Sequence, residues 1–281
     1  MNEIRLSAGP IAYEDIGAGE VIVLLHGLHM NGSLWREVVP VLAVGHRCVV
    51  PTLPFGGHRT PMHAEADLTP RGVARLVGEF LQHLDLHDVT LVGNDTGGVI
   101  AQLLVTEDPR RIGRLVLASC EAFDNFPPGL PGKVSAVAAR MPGGLYWAGQ
   151  SMRWRPLTRL PLTWGWMSKR AIPRDLLDSW FGPLREQRAV RRDVVKFVRA
   201  VDRAELIEAA GKLADFDRPA LVAWAVEDKV MPPAHADQLA TRLPSGRRVD
   251  IEDSFTLIPL DQPNRLADLI AAFIRDTAGR G

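Results

Sequence analysis

Two kinds of hydrophobic pattern take turns along the first 122 residues. One is a short unbroken apolar run, such as Val21 to Leu25 or Leu115 to Cys120; the other is a longer stretch with apolar residues every three to four positions. The first reads as a strand buried on both faces, the second as a helix covering it. Residues 2–17 predict a strand pair with its turn at Gly9-Pro10. Asn31 or Ser33 caps a helix through about residue 42, and Arg47 to Pro51 is a strand. Thr69-Pro70 caps a long amphipathic helix to about Leu84. Val89 begins a β-branched run that reaches Gly93-Asn-Asp-Thr-Gly97, and an apolar helix follows from Thr96 to about residue 106.

The alternation stops near residue 122. From 123 to 213 no segment has a strand pattern: the first part is rich in Pro and Trp, and the rest reads as helix from Pro173 through Ala210. Strand and helix then resume with the run Ala220 to Val226, a helix from about Ala234, the strand Arg248 to Ile251 and a last helix from Asp261 to about Thr277. Such βαβ units predict an α/β protein with a mostly parallel, doubly wound sheet of about eight strands. The expected organisation is a core of residues 1–122 and 214–281, with a helical lid of residues 123–213 inserted after the sixth strand. That lid should lie over the carboxyl edge of the sheet, where ligands bind in open α/β folds.

Composition narrows the function. The chain has 281 residues, is 46% hydrophobic and carries no formal net charge, which suits one large core. Nothing in it favours nucleic acid or a membrane surface, and no apolar run approaches the length of a membrane span. A soluble cytoplasmic monomer or homodimer with a small-molecule substrate is expected. Cys48 and Cys120 sit in β-branched runs and read as buried thiols. No phosphate-binding glycine loop and no cluster of His and carboxylates at metal-ligand spacing is present, so neither cofactor nor metal is expected. The 125–200 segment stands apart, with 14 Lys and Arg against 4 Asp and Glu. Most of these cations read as a solvated or partner-facing surface; the alternative reading is that Arg153, Arg155 or Arg159 draws in an acidic or phenolate-bearing substrate.

The Gly93-x-Asp95-x-Gly97 turn carries the chemistry. Small neighbours let the backbones pass at a sharp strand-to-helix turn, and the residue at its tip is held at the mouth of a pocket. Five other elements accompany it in order: His26-Gly27, Leu53-Pro-Phe-Gly-Gly-His58, the break after Cys120, Glu227-Asp228 and Asp261-Gln-Pro263. Together they resemble the α/β-hydrolase superfamily over essentially the whole chain. The aspartate at the elbow is most similar to haloalkane dehalogenases and epoxide hydrolases.

That resemblance implies roles residue by residue. Asp95 takes the nucleophile position, with the backbone N–H groups of Leu28 and Thr96 as an oxyanion hole or as donors to the Asp95 carboxylate itself. Two acids compete for the orienting role: Asp228, after the seventh strand, and Glu121, after the sixth. The base position, a few residues before Asp261, holds Thr256, and no histidine follows His235. Threonine takes no proton near neutral pH and cannot replace imidazole as a base. His29, beside the oxyanion loop, is the candidate to contact substrate, while His26 and His58 read as structural and His235 as surface. His46, His63, His83 and His87 read as exposed. Dehalogenases hold halide with a Trp and a side-chain amide where this chain has Thr96 and Leu28. Epoxide hydrolases use lid tyrosines, and this lid has only Tyr146. Trp147, Trp154 and Trp164, with Trp166 and Trp180, are candidates to line the pocket through rings and indole N–H groups.

Three functions fit these residues. One is a hydrolase with a modified triad acting on a bulky apolar or aromatic molecule. The second is a non-hydrolytic cyclase, isomerase or lyase in which Asp95 shuttles a proton under an apolar lid. The third is a ligand-binding homologue that has lost catalysis.

Overall fold

The computed structural model describes residues 1–278. Eight strands form one sheet: β1 (Asn2–Leu6), β2 (Gly9–Ile16), β3 (Glu20–Leu25), β4 (His46–Pro51), β5 (Val89–Asp95), β6 (Ile112–Cys120), β7 (Ala220–Ala225) and β8 (Gly246–Ile251). Their order is β1-β2-β4-β3-β5-β6-β7-β8. β2 runs antiparallel to both neighbours, and every other pairing is parallel. The central strands are buried on both faces, as their unbroken apolar runs require. Thr69 caps the helix Pro70–His83, accepting from Gly72 N–H, and the helix Thr96–Glu107 follows β5 directly.

Three expectations of local structure need correction. The first turn lies at Ser7-Ala8 rather than Gly9-Pro10, because Gly9 already pairs with Leu6. Pro10 is tolerated in β2 because β4 pairs with that strand only from Tyr13 onward, so the missing N–H is not needed. The helix expected from 31 to 42 is split into a 3₁₀ turn, Gly32–Trp35, and a single turn, Val39–Leu42. Pro40 cannot donate to a preceding turn and so begins a new one. Pro263 likewise starts the last helix, Pro263–Thr277, after the separate turn Ile258–Asp261.

Between β6 and β7 the described chain is helical. Gly129–Arg140, Gly144–Ser151, Arg174–Glu186 and Arg188–Ala200 pack on one another, and the run expected from 173 to 210 is interrupted at Gln187 and at Val201-Asp202. Arg203–Lys212 instead packs on Thr96–Glu107 in the body of the molecule.

Two buried carboxyls fasten the insertion to the sheet. Asp193 accepts from His58 Nε2 at 3.2 Å, Met62 N–H at 2.9 Å and Arg192 Nη2 at 2.7 Å. Burial raises its pKa, but these donors more than compensate and hold it below the usual carboxylate range. Asp261 accepts from Ser168 Oγ at 2.8 Å and from the N–H groups of Lys169, Arg170 and Phe255. It therefore joins the insertion to the loop that carries Thr256. Among the described residues no helix is long and apolar enough to cross a membrane.

Candidate active site

The site is assembled from residues just past the carboxyl ends of parallel strands. His26 to His29 follow β3, Asp95 ends β5, Glu121 follows β6, Asp228 follows β7 and Thr256 follows β8. Asp95 has φ 55° and ψ −132°, a conformation that few side-chain-bearing residues adopt and that a tight strand-to-helix turn imposes. Close packing sets its neighbours. A methyl group at Gly97 would collide with the backbone of Leu25, and one at Gly27 would overlap the Asp95 carboxylate.

Asp95 is 3% exposed. Burial pushes its pKa from 3.8 up to about 7, opposed by the backbone N–H groups of Thr96 and Leu28 and reinforced by the charge of Asp228. The two N–H groups that the resemblance assigns to an oxyanion hole thus face the Asp95 carboxylate itself. Glu121 is 1% exposed; its Oε1 accepts from Thr96 Oγ1 at 2.8 Å, and its Oε2 is buried without a partner. Burial and the neighbouring Asp95 charge hold its pKa well above the ordinary value.

Asp228 and Thr256 form a second unit. Asp228 Oδ1 accepts from Val230 N–H at 2.9 Å, Met231 N–H at 2.8 Å and Thr256 Oγ1 at 2.8 Å. Burial nevertheless lifts Asp228 to about 6, and its Oδ2 is buried without a partner. The Thr256 backbone is fixed by Asn94, whose Nδ2 donates to the Thr256 carbonyl at 2.8 Å and to that of Ala118 at 2.7 Å.

The histidines divide by partner. His26 Nδ1 bonds Gly27 O and its Nε2 accepts from Leu53 N–H; burial holds it neutral, with its pKa lowered to about 4. It braces the loop, in a structural place. His58 reaches Asp193 in the insertion, a longer tie than local packing. His29 has φ 62°, lines the cavity described below and meets Ser135 Oγ through Nε2 at 2.6 Å. Burial lowers it to about 4 as well, so it is neutral at physiological pH. His235 packs edge-on against Phe123. His63, His83 and His87 are exposed, whereas His46 is half-buried against Leu42 O, not exposed as expected.

A cavity of about 870 Å³, mouth included, opens above Asp95. Asp95, Thr96, Glu121 and His29 lie on its floor side, and apolar residues of the insertion, among them Phe126, Met152, Phe181 and Trp164, form much of the rest. Asp228 and Thr256 are not in its wall. Of the tryptophans expected in the pocket, only Trp164 lines it, 7% exposed, with its ring tilted against Trp180 and edge-on to Phe181. Trp147 and Trp154 are 68% and 63% exposed and lie outside, because their positions fall on the solvent side of the insertion. Trp166 does not line it either, and Trp180 is buried with its N–H donated to Ser33 Oγ. Arg153, Arg155 and Arg159 are exposed and likewise absent from the wall, so they do not meet a ligand there.

Ser135 had no sequence signal, since it sits in a helix without a motif; only its proximity to His29 marks it. Among the described residues no group of three or more His, Cys, Asp or Glu could hold a metal ion. Cys48 and Cys120 are buried and free.

Comparison with known proteins places this geometry. A pimeloyl-[acyl-carrier protein] methyl ester esterase of Aeromonas hydrophila is 26% identical, over 94% of this chain and 99% of its own length. A cis-3-alkyl-4-alkyloxetan-2-one decarboxylase of Xanthomonas campestris is 26% identical, over 96% and 95%. A thermophilic esterase from Thermogutta terrifontis superposes with a TM-score of 0.75 at 21% identity, covering 99% of each chain, a likeness of fold. The family model of the alpha/beta hydrolase fold matches residues 20–263. With its eight-stranded sheet and a sharp elbow at Asp95, the chain belongs to the α/β-hydrolase fold family.

Proposed function

We propose that this protein is an acid–base enzyme of that family. It acts on a bulky apolar or aromatic small molecule, with Asp95 taking or giving a proton in a reaction that needs no activated water. The insertion as far as Ala200 acts as the lid that keeps the site dry, with Arg203–Lys212 left to the body of the molecule. One observation carries the reading: Asp95 faces an apolar cavity, while the group bonded to Asp228 is the Thr256 hydroxyl. A hydroxyl cannot serve as the base that takes a proton from water near neutral pH, whereas a carboxyl lifted to about 7 exchanges its own. The Xanthomonas relative, named as a decarboxylase, is similar to this chain and is not named for a hydrolysis.

The test is conversion of a panel of apolar ketones, esters and epoxides in H₂¹⁸O by the protein and by Asp95→Asn. Product without ¹⁸O, lost in the variant, is expected. Label incorporated by the unaltered protein beyond an enzyme-free control, which corrects for the spontaneous exchange of ketone oxygen with water, would put hydrolysis in its place, and undiminished conversion by the variant would remove Asp95 from the chemistry. The second reading, hydrolysis with Asp95 as nucleophile, is favoured by the strained φ of 55° at the elbow. It predicts an alkyl adduct on Asp95, seen by mass spectrometry, after exposure to haloalkanes or epoxides.

A further inference from the structure

The sheet delivers a second carboxyl to the cavity. Cys120 is the strand partner of Asp95, and Glu121 is the next residue. Both acids are buried in the wall, and among the described residues no Lys or Arg lines the cavity to balance them. Two carboxylates in apolar surroundings without a cation do not both ionise. Asp95 has two backbone N–H groups favouring its charge, from Leu28 and Thr96. Glu121 has the Thr96 hydroxyl and its own backbone N–H. The Thr96 hydroxyl already occupies Oε1, and Oε2 is buried with no partner. A proton on Oε2 therefore makes Glu121 a buried acid O–H that, among the described residues, has nothing to donate to, beside a base.

We propose that Glu121 is the proton donor of this site, working opposite Asp95. The substrate it fits is an apolar ketone, or a related carbonyl compound, with an acidic C–H beside the carbonyl. This rests on the acid–base reading of Asp95. In the forward step Asp95 Oδ takes the proton from the α-carbon. The C–H electron pair becomes the C=C bond of an enol, the carbonyl π pair moves to oxygen, and that oxygen takes the proton from Glu121 Oε2. As Asp95 becomes neutral, Glu121 becomes charged, so the pair never carries two negative charges. In the return step the enol O–H proton goes back to Glu121, the carbonyl re-forms, and Asp95 gives its proton to the same carbon or to an allylic one. Nothing is oxidised or reduced, and no water is consumed. Thr96 is a positioning residue: its hydroxyl holds Oε1 and leaves Oε2 to the ligand.

The experiment is hydrogen–deuterium exchange at the α-carbon of 2-tetralone, 1-indanone and cyclohex-3-en-1-one, followed by proton NMR in D₂O at neutral pD. The unaltered protein is expected to accelerate exchange, and Asp95→Asn to abolish it. Glu121→Gln fills the same space and keeps an N–H donor but no transferable acid proton. It is expected to lower kcat about 10²-fold with little change in KM. Glu121→Leu, which has no donor, is expected to lose at least as much. Melting curves for both variants establish that they fold. Normal exchange in both Glu121 variants, with exchange lost in Asp95→Asn, would overturn the role of Glu121 and leave Asp95 as base. Normal exchange in all three variants would overturn the acid–base reading itself. No acceleration of any of the three ketones by the unaltered protein would overturn the carbonyl substrate.

Discussion

Asp95→Asn should make the folded protein more resistant to heat at pH 8 than at pH 5, relative to the unaltered chain. Burial lifts Asp95 from 3.8 to about 7 in the folded state. Below about pH 4 the carboxyl is protonated whether the chain is folded or not, and it contributes nothing to the pH dependence. Between about 4 and 7 the unfolded chain ionises and the folded one resists. Each pH unit then costs the folded state about 1.4 kcal/mol, reaching about 4 kcal/mol above pH 7. Asparagine does not ionise and escapes that cost. Its NH₂ meets an N–H of Leu28 or Thr96 that the carboxylate would accept, a penalty of about 1–3 kcal/mol, but this is the same at every pH. The difference in Tm between variant and parent should therefore rise from pH 5 to pH 8 by an amount set by ionisation alone. About 3 kcal/mol falls in that window, or about 6–12 °C at 2–4 °C per kcal/mol for a chain of this size. Differential scanning calorimetry at half-unit steps of pH reads it directly. A difference that stays flat, or that shrinks as pH rises, would refute a buried, hard-to-ionise Asp95.

Three further substitutions probe neighbouring parts of the site. Thr256→His should set an imidazole against Asp228; its positive form would favour the Asp95 carboxylate, moving the midpoint of the pH–rate profile below 7, at about 1–3 kcal/mol of overpacking in a fully buried position. An unmoved midpoint would show that residue 256 has no access to Asp95. Trp164→Ala should raise KM and cost about 3–5 kcal/mol in urea unfolding, while Trp147→Ala and Trp154→Ala, at exposed positions outside the cavity, should leave both unchanged. Equal effects at all three positions would contradict the cavity described above. Asp193→Ala strips the acceptor from His58, Met62 N–H and Arg192 and should cost about 3–5 kcal/mol; a loss under about 1 kcal/mol would mean that this tie between insertion and sheet is dispensable.

What the sequence revealed follows from what is local. Val21 to Leu25 and Ala220 to Ala225 are strands because a fully buried strand needs nothing but an apolar run, and Thr69 caps a helix through its own side chain. The turn at Asp95 was legible because its glycines are required by close contacts with fixed backbone. Pairings made at long range were not legible. His58 reads as structural from its loop alone, but nothing near it names its partner, Asp193, 135 positions away on the chain. The tryptophans show the same limit. Trp147 and Trp154 have the composition of a pocket wall, but which face of a short helix turns inward depends on how Gly144–Ser151 packs on Arg174–Glu186, and no residue near Trp147 records that. Glu121 and Asp95 are 26 positions apart and meet because β5 and β6 are neighbours in register, something only the sheet order decides.

The two departures of this site from an aspartate-nucleophile hydrolase have one electrostatic cause. An imidazolium beside Asp95 would stabilise its charge and keep it a carboxylate, fit to attack carbon. With threonine at 256, the only group offered to Asp228 from that position is a neutral hydroxyl, and it donates to Asp228 rather than to Asp95. Among the described residues nothing cationic then lies in the cavity wall, and on top of burial Asp228 raises the cost of ionising Asp95, and Asp95 that of Glu121. A carboxyl in that setting is half-protonated near neutral pH. That makes it a poor nucleophile and an effective proton carrier, since a group works best as acid or base when its pKa lies near the working pH. On the reading proposed here, the exchange of one side chain at position 256 does more than delete a base: it resets the charge of Asp95 and, with it, the kind of reaction the elbow can run.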